Sequence, residues 1–271
     1  MQSWNSSGWG WRLLLCIALA LFLLHAVVLM AAPSKSATLL LSDSIQVAFG
    51  LLATVATVHA SRRLNRFGKH FWLLISACFL LWTAAQLMAT YYNNFAHLPL
   101  QTPWPSDVVF FVSMAPAFMT LFLDTERGLE WKNWPRILDL AQVLILTAAA
   151  HQLLYALPAH WKMDGGVLGR LAWLPDTGRD MLLVGAFGLR ALMSRQRLAR
   201  DLYGRMAIFF AIYLCCEVPY LYLQSTKNLQ PATPWDLAWS FPFLAMAILA
   251  ATSGPVEESA GDEDISRAKK E

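Results

Sequence analysis

The sequence predicts an all-α fold: a polytopic membrane helix bundle of about eight transmembrane helices, with both termini in the cytoplasm. Three observations predict it. Of 271 residues, 57% are hydrophobic and only 14% charged, too little polar surface to cover a soluble globule. Apolar runs of about 20 residues, the length a helix needs to cross a bilayer, recur along the chain. Basic residues alternate between rich and poor turns, which is the mark of membrane topology and not of a nucleic-acid face.

In order, the runs are 12–32, 38–60, 71–92, 107–123, 137–157, 175–193, 206–224 and 236–252. The first follows Arg12; a signal peptide cleaved near Ala31 and Ala32 is the other reading, but the run is longer than a usual signal h-region. The fourth and eighth runs are short and the sixth is the most polar, so seven spans is the nearest alternative count. Residues 1–252 form the membrane domain, and 253–271 form a charged tail that lacks apolar periodicity.

The turns set the orientation. Arg62, Arg63, Arg66 and Lys69 follow the second run, Arg127, Lys132 and Arg136 the fourth, and Arg190, Arg195, Arg197, Arg200 and Arg205 surround the turn after the sixth. The opposite turns hold Lys35, Lys162, Arg170, Arg179 and Lys227, which leaves sixteen of the 21 basic residues on one side. By the positive-inside rule that side is the cytoplasm.

Each helix that re-enters from outside is expected to begin at or near an aspartate that caps it: Asp43, Asp107, Asp176 and Asp236, the last three preceded by proline within two residues. Proline fixes φ for a first turn, and a carboxylate there accepts orphan amide hydrogens and complements the helix dipole. A longer repeat overlies this pattern. Tyr91, Pro105 and Asp107 recur 129 residues later as Tyr220, Pro234 and Asp236, which predicts a parallel 4+4 repeat of halves about 11–123 and 137–252.

Catalytic motifs are not found: no HExxH, GxSxG, kinase or cyclase signature occurs, and Gly165, Gly166 and Gly169 follow no strand. No catalytic site is therefore expected in this chain. Cys16, Cys78, Cys215 and Cys216 lie in apolar runs as small hydrophobes, with no spacing for zinc and no disulfide framework.

Polar side chains inside spans point to a site, because hydrocarbon tolerates them only when they face the bundle interior. They are His25, Gln46, Gln86, Asp139, Gln142, His151 and Glu217. Asp139 reads as a helix-start acid, whereas Glu217 lies two residues before the helix-interrupting Pro219 and is a candidate ligand or proton group. His25 and His151 occupy matching depths in the two halves, the placement a bis-histidine haem would require; without a third ligand no cofactor and no metal is expected. Tyr91, Trp104, Tyr220 and Trp235 belong to an aromatic belt at the outer boundary, where some aromatics would line a pocket for an apolar or lipid-like ligand. The lipid bilayer is one expected partner, a second copy of the chain another, and nucleic acid is not.

The order Trp82, Tyr91-Tyr92, Pro103-Trp104-Pro105-Ser106-Asp107 and Pro116, followed by Tyr220, Pro234-Trp235-Asp236, Trp239 and Pro242, resembles the multi-span N-terminal sensory regions of bacterial transmembrane histidine kinases and diguanylate cyclases. The likeness covers 62–123 and 195–252 best. It implies a module of the bacterial inner membrane that perceives an envelope or membrane-borne signal and relays it to a cytoplasmic output domain or partner. Since no output domain follows within these residues, the expectation is either the membrane part of a longer product or a stand-alone relative. A small-molecule transporter or channel, using Glu217, Gln86 and Gln142 as interior groups, is the alternative.

Overall fold

A computed structural model describes residues 7–31, 34–96, 105–123, 174–227 and 231–254, with 138, 142, 146 and 229 as single positions. Every regular element among them is helical: α1 (Ser7–Ala31), α2 (Lys35–Ser61), α3 (Arg66–Tyr91) with a π turn at Tyr92–Ala96, α4 (Pro105–Val112), α5 (Ala115–Thr120), α6 (Leu174–Met193), α7 (Arg197–Lys227), a 3₁₀ turn at Pro234–Asp236, and α8 (Leu237–Ala251). Five stretches are long and apolar enough to cross a membrane: Gly10–Ala31, Lys35–Ser61, Arg66–Ala96, Arg197–Leu223 and Pro234–Ala251. The expected fourth span is instead two short helices, broken at Ser113 and Met114 just ahead of Pro116. α6 is a helix of 20 residues but carries Asp176, Arg179, Asp180 and Arg190, which keeps it out of the strongly apolar set. Apart from its three single positions, the expected fifth span lies outside the described residues.

Local chemistry explains the boundaries. α2 starts where Ser34 takes an extended conformation and its Oγ accepts from the Ala37 amide at 3.3 Å. α3 starts where Asn65 Oδ1 accepts from the Gly68 amide at 3.0 Å. Asp43 is therefore not the cap expected of it: Ser34 holds that position, and Asp43 falls in the third turn of α2. Asp107 does lie in the first turn of α4, behind Pro105. Asp176 is the third residue of α6, and its side chain is outside the described set. Asp236 occupies the position ahead of α8, yet its carboxylate makes no capping bond to that helix.

α8 sits between α1, α2 and α7; α3 packs on α2, α4 and α5, and α6 on α7. Small residues permit this closeness, with Ala53, Ala56 and Ala60 on α2 and Ala247 and Ala250 on α8 all buried. Aromatic rings fill the centre: Phe243 of α8 lies 4.4 Å from Trp82 and 5.6 Å from Phe79, centroid to centroid. The outward positions are apolar too, since Leu23, Leu51, Leu80, Ile208 and Ile248 are each about half exposed. A helix apolar on both faces belongs in lipid.

Gly50 marks a close approach of α2 to α3. A Cβ there would collide with Thr83 Oγ1 and come within 3.2 Å of the Trp82 ring. The Thr83 hydroxyl is held by the Phe79 carbonyl at 2.6 Å, so it does not yield freely. Gly50→Ala is expected to cost about 1–3 kcal/mol, and Thr83→Ala in the same chain to recover part of it. Thermal unfolding in detergent checks this; a Gly50→Ala midpoint equal to wild type would show that the helices part at no cost.

Candidate functional site

The helix ends differ in charge, and the site lies at the acidic one. His25 of α1, Ser42, Asp43 and Gln46 of α2, Tyr220 of α7, and Asp236 and Ser240 at the start of α8 are all buried there, and Asn94 of the π turn is half-buried. Helical spacing assembles the pairs, because Ser42 with Gln46 and Asp236 with Ser240 are four residues apart and share a face.

His25 links three helices. Its Nε2 lies 2.9 Å from Ser42 Oγ on α2, and its Nδ1 2.7 Å from Ser240 Oγ on α8. Ser42 donates to Asp236 Oδ2 at 3.1 Å. A hydroxyl has one hydrogen, so while Asp236 is ionised and accepts from Ser42, Ser42 must accept from His25, which puts a proton on Nε2. In a neutral imidazole Nδ1 then accepts from Ser240. Gln46 adds a longer donation to Ser42 at 3.4 Å. Both ring nitrogens are thus engaged by hydroxyls, and a haem iron would have to displace one of them.

Asp236 Oδ2 also accepts from the Ala232 amide at 2.9 Å. Ala232 has φ of 65°, a left-handed conformation that costs an alanine energy, and the aspartate helps to hold it there. Asp43 accepts from Asn94 Nδ2 at 2.9 Å, while the same amide donates to the Thr90 carbonyl at 3.0 Å. The Tyr220 hydroxyl leans toward Asp236, and its ring packs edge-on to Trp239 at 5.1 Å. Among the described groups that act on Asp43 and Asp236, none is a lysine or arginine.

The opposite end is basic, and two arginines grip the last turn of α8. Arg63 Nη2 donates to the carbonyls of Ala250 and Ala251 at 2.9 and 3.0 Å. Arg205 Nη1 donates to the Leu249 carbonyl at 2.9 Å and to Thr252 Oγ1 at 2.6 Å, while its Nε pairs with Asp201 at 2.7 Å. Trp72 Nε1 donates to Ser253 Oγ at 3.1 Å. Burial, and then the adjacent Arg205 charge, press the Arg63 guanidinium below its ordinary pKa.

The residues singled out from the sequence therefore divide. His25, Asp43, Asp236 and Tyr220 come together. Glu217 is buried on α7, one turn along from Tyr220, and Gln86 is buried on α3, about two turns from Asn94. Tyr91 and Trp235 are 58% and 47% exposed and stand outside the cluster. His151 and Trp104 lie outside the described residues. Sequence reasoning passed over Ser240, the role of Ser42, Asn94 and the two arginines of the clamp; the four-residue spacing of Ser42 with Gln46 and of Asp236 with Ser240 was the available signal. Among the described residues no group of three His, Cys, Asp or Glu is placed to hold a metal ion. No protein-family model, curated protein or solved structure matches the chain, so its own residues carry the functional argument.

Proposed function

We propose that the chain is a sensory module of a bacterial inner membrane, which perceives a signal at its acidic end and relays it along α8 to a cytoplasmic output domain or partner. The observation that carries this reading is that α8 joins both ends: Asp236 and Ser240 belong to the His25 network, and the carbonyls of residues 249–251 belong to the arginine clamp. A helix is stiff along its axis, so a ligand that favours one seating of its first turn also shifts its last turn, where the charged tail begins. In this reading the acidic end faces the envelope, both termini are cytoplasmic, and the clamp lies at the inner boundary, in keeping with the positive-inside pattern.

Eight spans in a parallel 4+4 repeat belong to the same reading. Pro105 opens α4 as Pro234 opens the turn into α8, and α3 packs on α4 as α7 packs on α8. The resemblance to sensory regions of histidine kinases and diguanylate cyclases supports the same role.

The test is a fusion of the chain to a cytoplasmic cyclase domain. Output is expected to change with conditions outside the membrane, and Asp236→Asn to abolish that change while the protein remains inserted. Constant output from a folded, inserted fusion would overturn the reading. The buried Glu217 and Gln86 favour the transporter alternative, which solute flux in proteoliposomes that is lost in Glu217→Gln would establish.

A further inference from the structure

We infer that the acidic end is a proton-binding site, in which His25, Ser42 and Asp236 share one exchangeable proton beside a second carboxylate, Asp43. This names the ligand of the site proposed above, and rests on that proposal only for its signalling consequence.

Four observations carry it. Asp43 and Asp236 are 6% and 2% exposed, and none of the described groups that act on them is a lysine or arginine. Two such carboxylates are not both ionised at low cost, and a proton is the smallest charge that relieves them. Second, Asp236 Oδ1 is buried with no well-formed hydrogen bond among the described residues, although Oδ2 has two. A carboxylate, toward which only the Tyr220 hydroxyl and the Thr233 amide also lean, leaves charge on that oxygen, whereas a carboxylic acid leaves it neutral. Third, His25, Ser42 and Ser240 are fully buried in side-chain contact, which leaves the place of a proton and not that of a hydrated ion. Fourth, the contacts form a relay.

The relay balances. Starting from a protonated imidazole, the Nε2 proton passes to Ser42 Oγ as the Ser42 proton passes to Asp236 Oδ2. Imidazolium and carboxylate become neutral imidazole and carboxylic acid, and one proton is held throughout. In both forms Nδ1 carries hydrogen and Ser240 accepts it. Loss of the shared proton reverses Ser240, which must then donate to Nδ1. The protonation state is thereby written into the first turn of α8.

Among the described residues, the ionisable groups facing this proton are His25 on α1, Asp43 on α2, Tyr220 on α7 and Asp236 ahead of α8, with Glu217 one turn further along α7. Asn94 on the π turn is polar but does not ionise. Lys35 is exposed, more than two helical turns before Asp43.

Infrared difference spectroscopy of the full chain in nanodiscs, across a pH step, tests the assignment. Wild type is expected to show a protonated-carboxyl stretch that titrates together with imidazole ring bands. Asp236→Asn is expected to abolish the coupled change, and Glu217→Gln to keep it. Ser240→Ala retains both acids and is expected to move the midpoint by about one pH unit, tenfold in proton affinity. Absence of the band in wild type, or survival of the coupled change in Asp236→Asn, overturns the proposal. A titrating band in a chain whose fusion output ignores pH upholds the proton site and overturns the signalling consequence; output that answers another stimulus, with no band, overturns the proton site and upholds the sensory role.

Discussion

Phe243→Ala is expected to lower unfolding stability by about 3–5 kcal/mol, a large effect for one side chain. The ring is 2% exposed and is the seat of α8 in the centre of the bundle, against Trp82 and Phe79, which lie one turn apart on α3. Phe79 in turn meets Phe209 of α7 at 5.6 Å, so a hole at 243 loosens α3, α7 and α8 together. An apolar crevice lined by Ile75, Cys78, Met206 and Phe209 already adjoins the ring, and truncation enlarges it where no polar group offers water a partner. Phe243→Leu keeps most of the volume and is expected to cost less than about 1.5 kcal/mol. Thermal or denaturant unfolding in detergent distinguishes the two; equal, small losses would show that α8 is held by its ends alone. In the cyclase fusion, Phe243→Ala is expected to weaken the response even where the protein inserts, because the middle of the lever no longer has a fixed seat.

What was legible in the sequence is what a bilayer dictates. α1, α2, α3, α7 and α8 announce themselves because about 20 apolar residues in a row have one common fate. Their ends were less legible: α7 begins at Arg197, nine residues before its apolar run, because a polar stretch that includes the Asp201–Arg205 pair continues the same helix. The site was legible residue by residue but not as a site. His25 stands out as an ionisable group in a span, and Asp43 and Asp236 as helix-start acids, yet which of them meet depends on how α1, α2 and α8 cross, and periodicity within one helix says nothing of that. Hydroxyls are the harder case. Ser42 and Ser44 look alike in sequence, but two residues turn a helix by about 200°. Ser44 is exposed and bonds back to the Leu40 carbonyl at 2.7 Å, as helical serines often do, while Ser42 faces the bundle and joins His25 to Asp236. Arg63 and Arg205 were counted for topology, where only their charge and side matter; their reach to specific carbonyls is a tertiary fact.

Those two arginines give the other large prediction. The last carbonyls of any helix lack amide partners, and at the end of α8 each finds another. The Ile248 carbonyl accepts from the Thr252 amide and that of Ala250 from the Ser253 amide, while Leu249 is served by Arg205, and Ala250 and Ala251 by Arg63. Both cations also sit at the negative end of the helix dipole. Removing Arg63 takes the arginine from the Ala251 carbonyl, and removing Arg205 leaves that of Leu249 only the Thr252 hydroxyl; each change loses charge-assisted hydrogen bonds, so Arg63→Gln and Arg205→Gln are each expected to cost about 1.5–3 kcal/mol. Because they hold consecutive carbonyls of one turn, the double variant is expected to lose less than the sum of the two, a coupling that a double-mutant cycle in detergent measures. Arg205→Lys is expected to restore less than half the loss, since three guanidinium nitrogens reach Asp201, Leu249 and Thr252 in different directions and an ammonium cannot copy that fork. The functional outcome separates a cap from a coupling device. If the clamp only closes a helix, the fusion carrying Arg205→Gln responds as wild type does, at reduced abundance. If it passes movement from α8 into the tail, output becomes fixed at one level while the protonation change at Asp236 persists, because the acidic end still binds its proton and nothing transmits it.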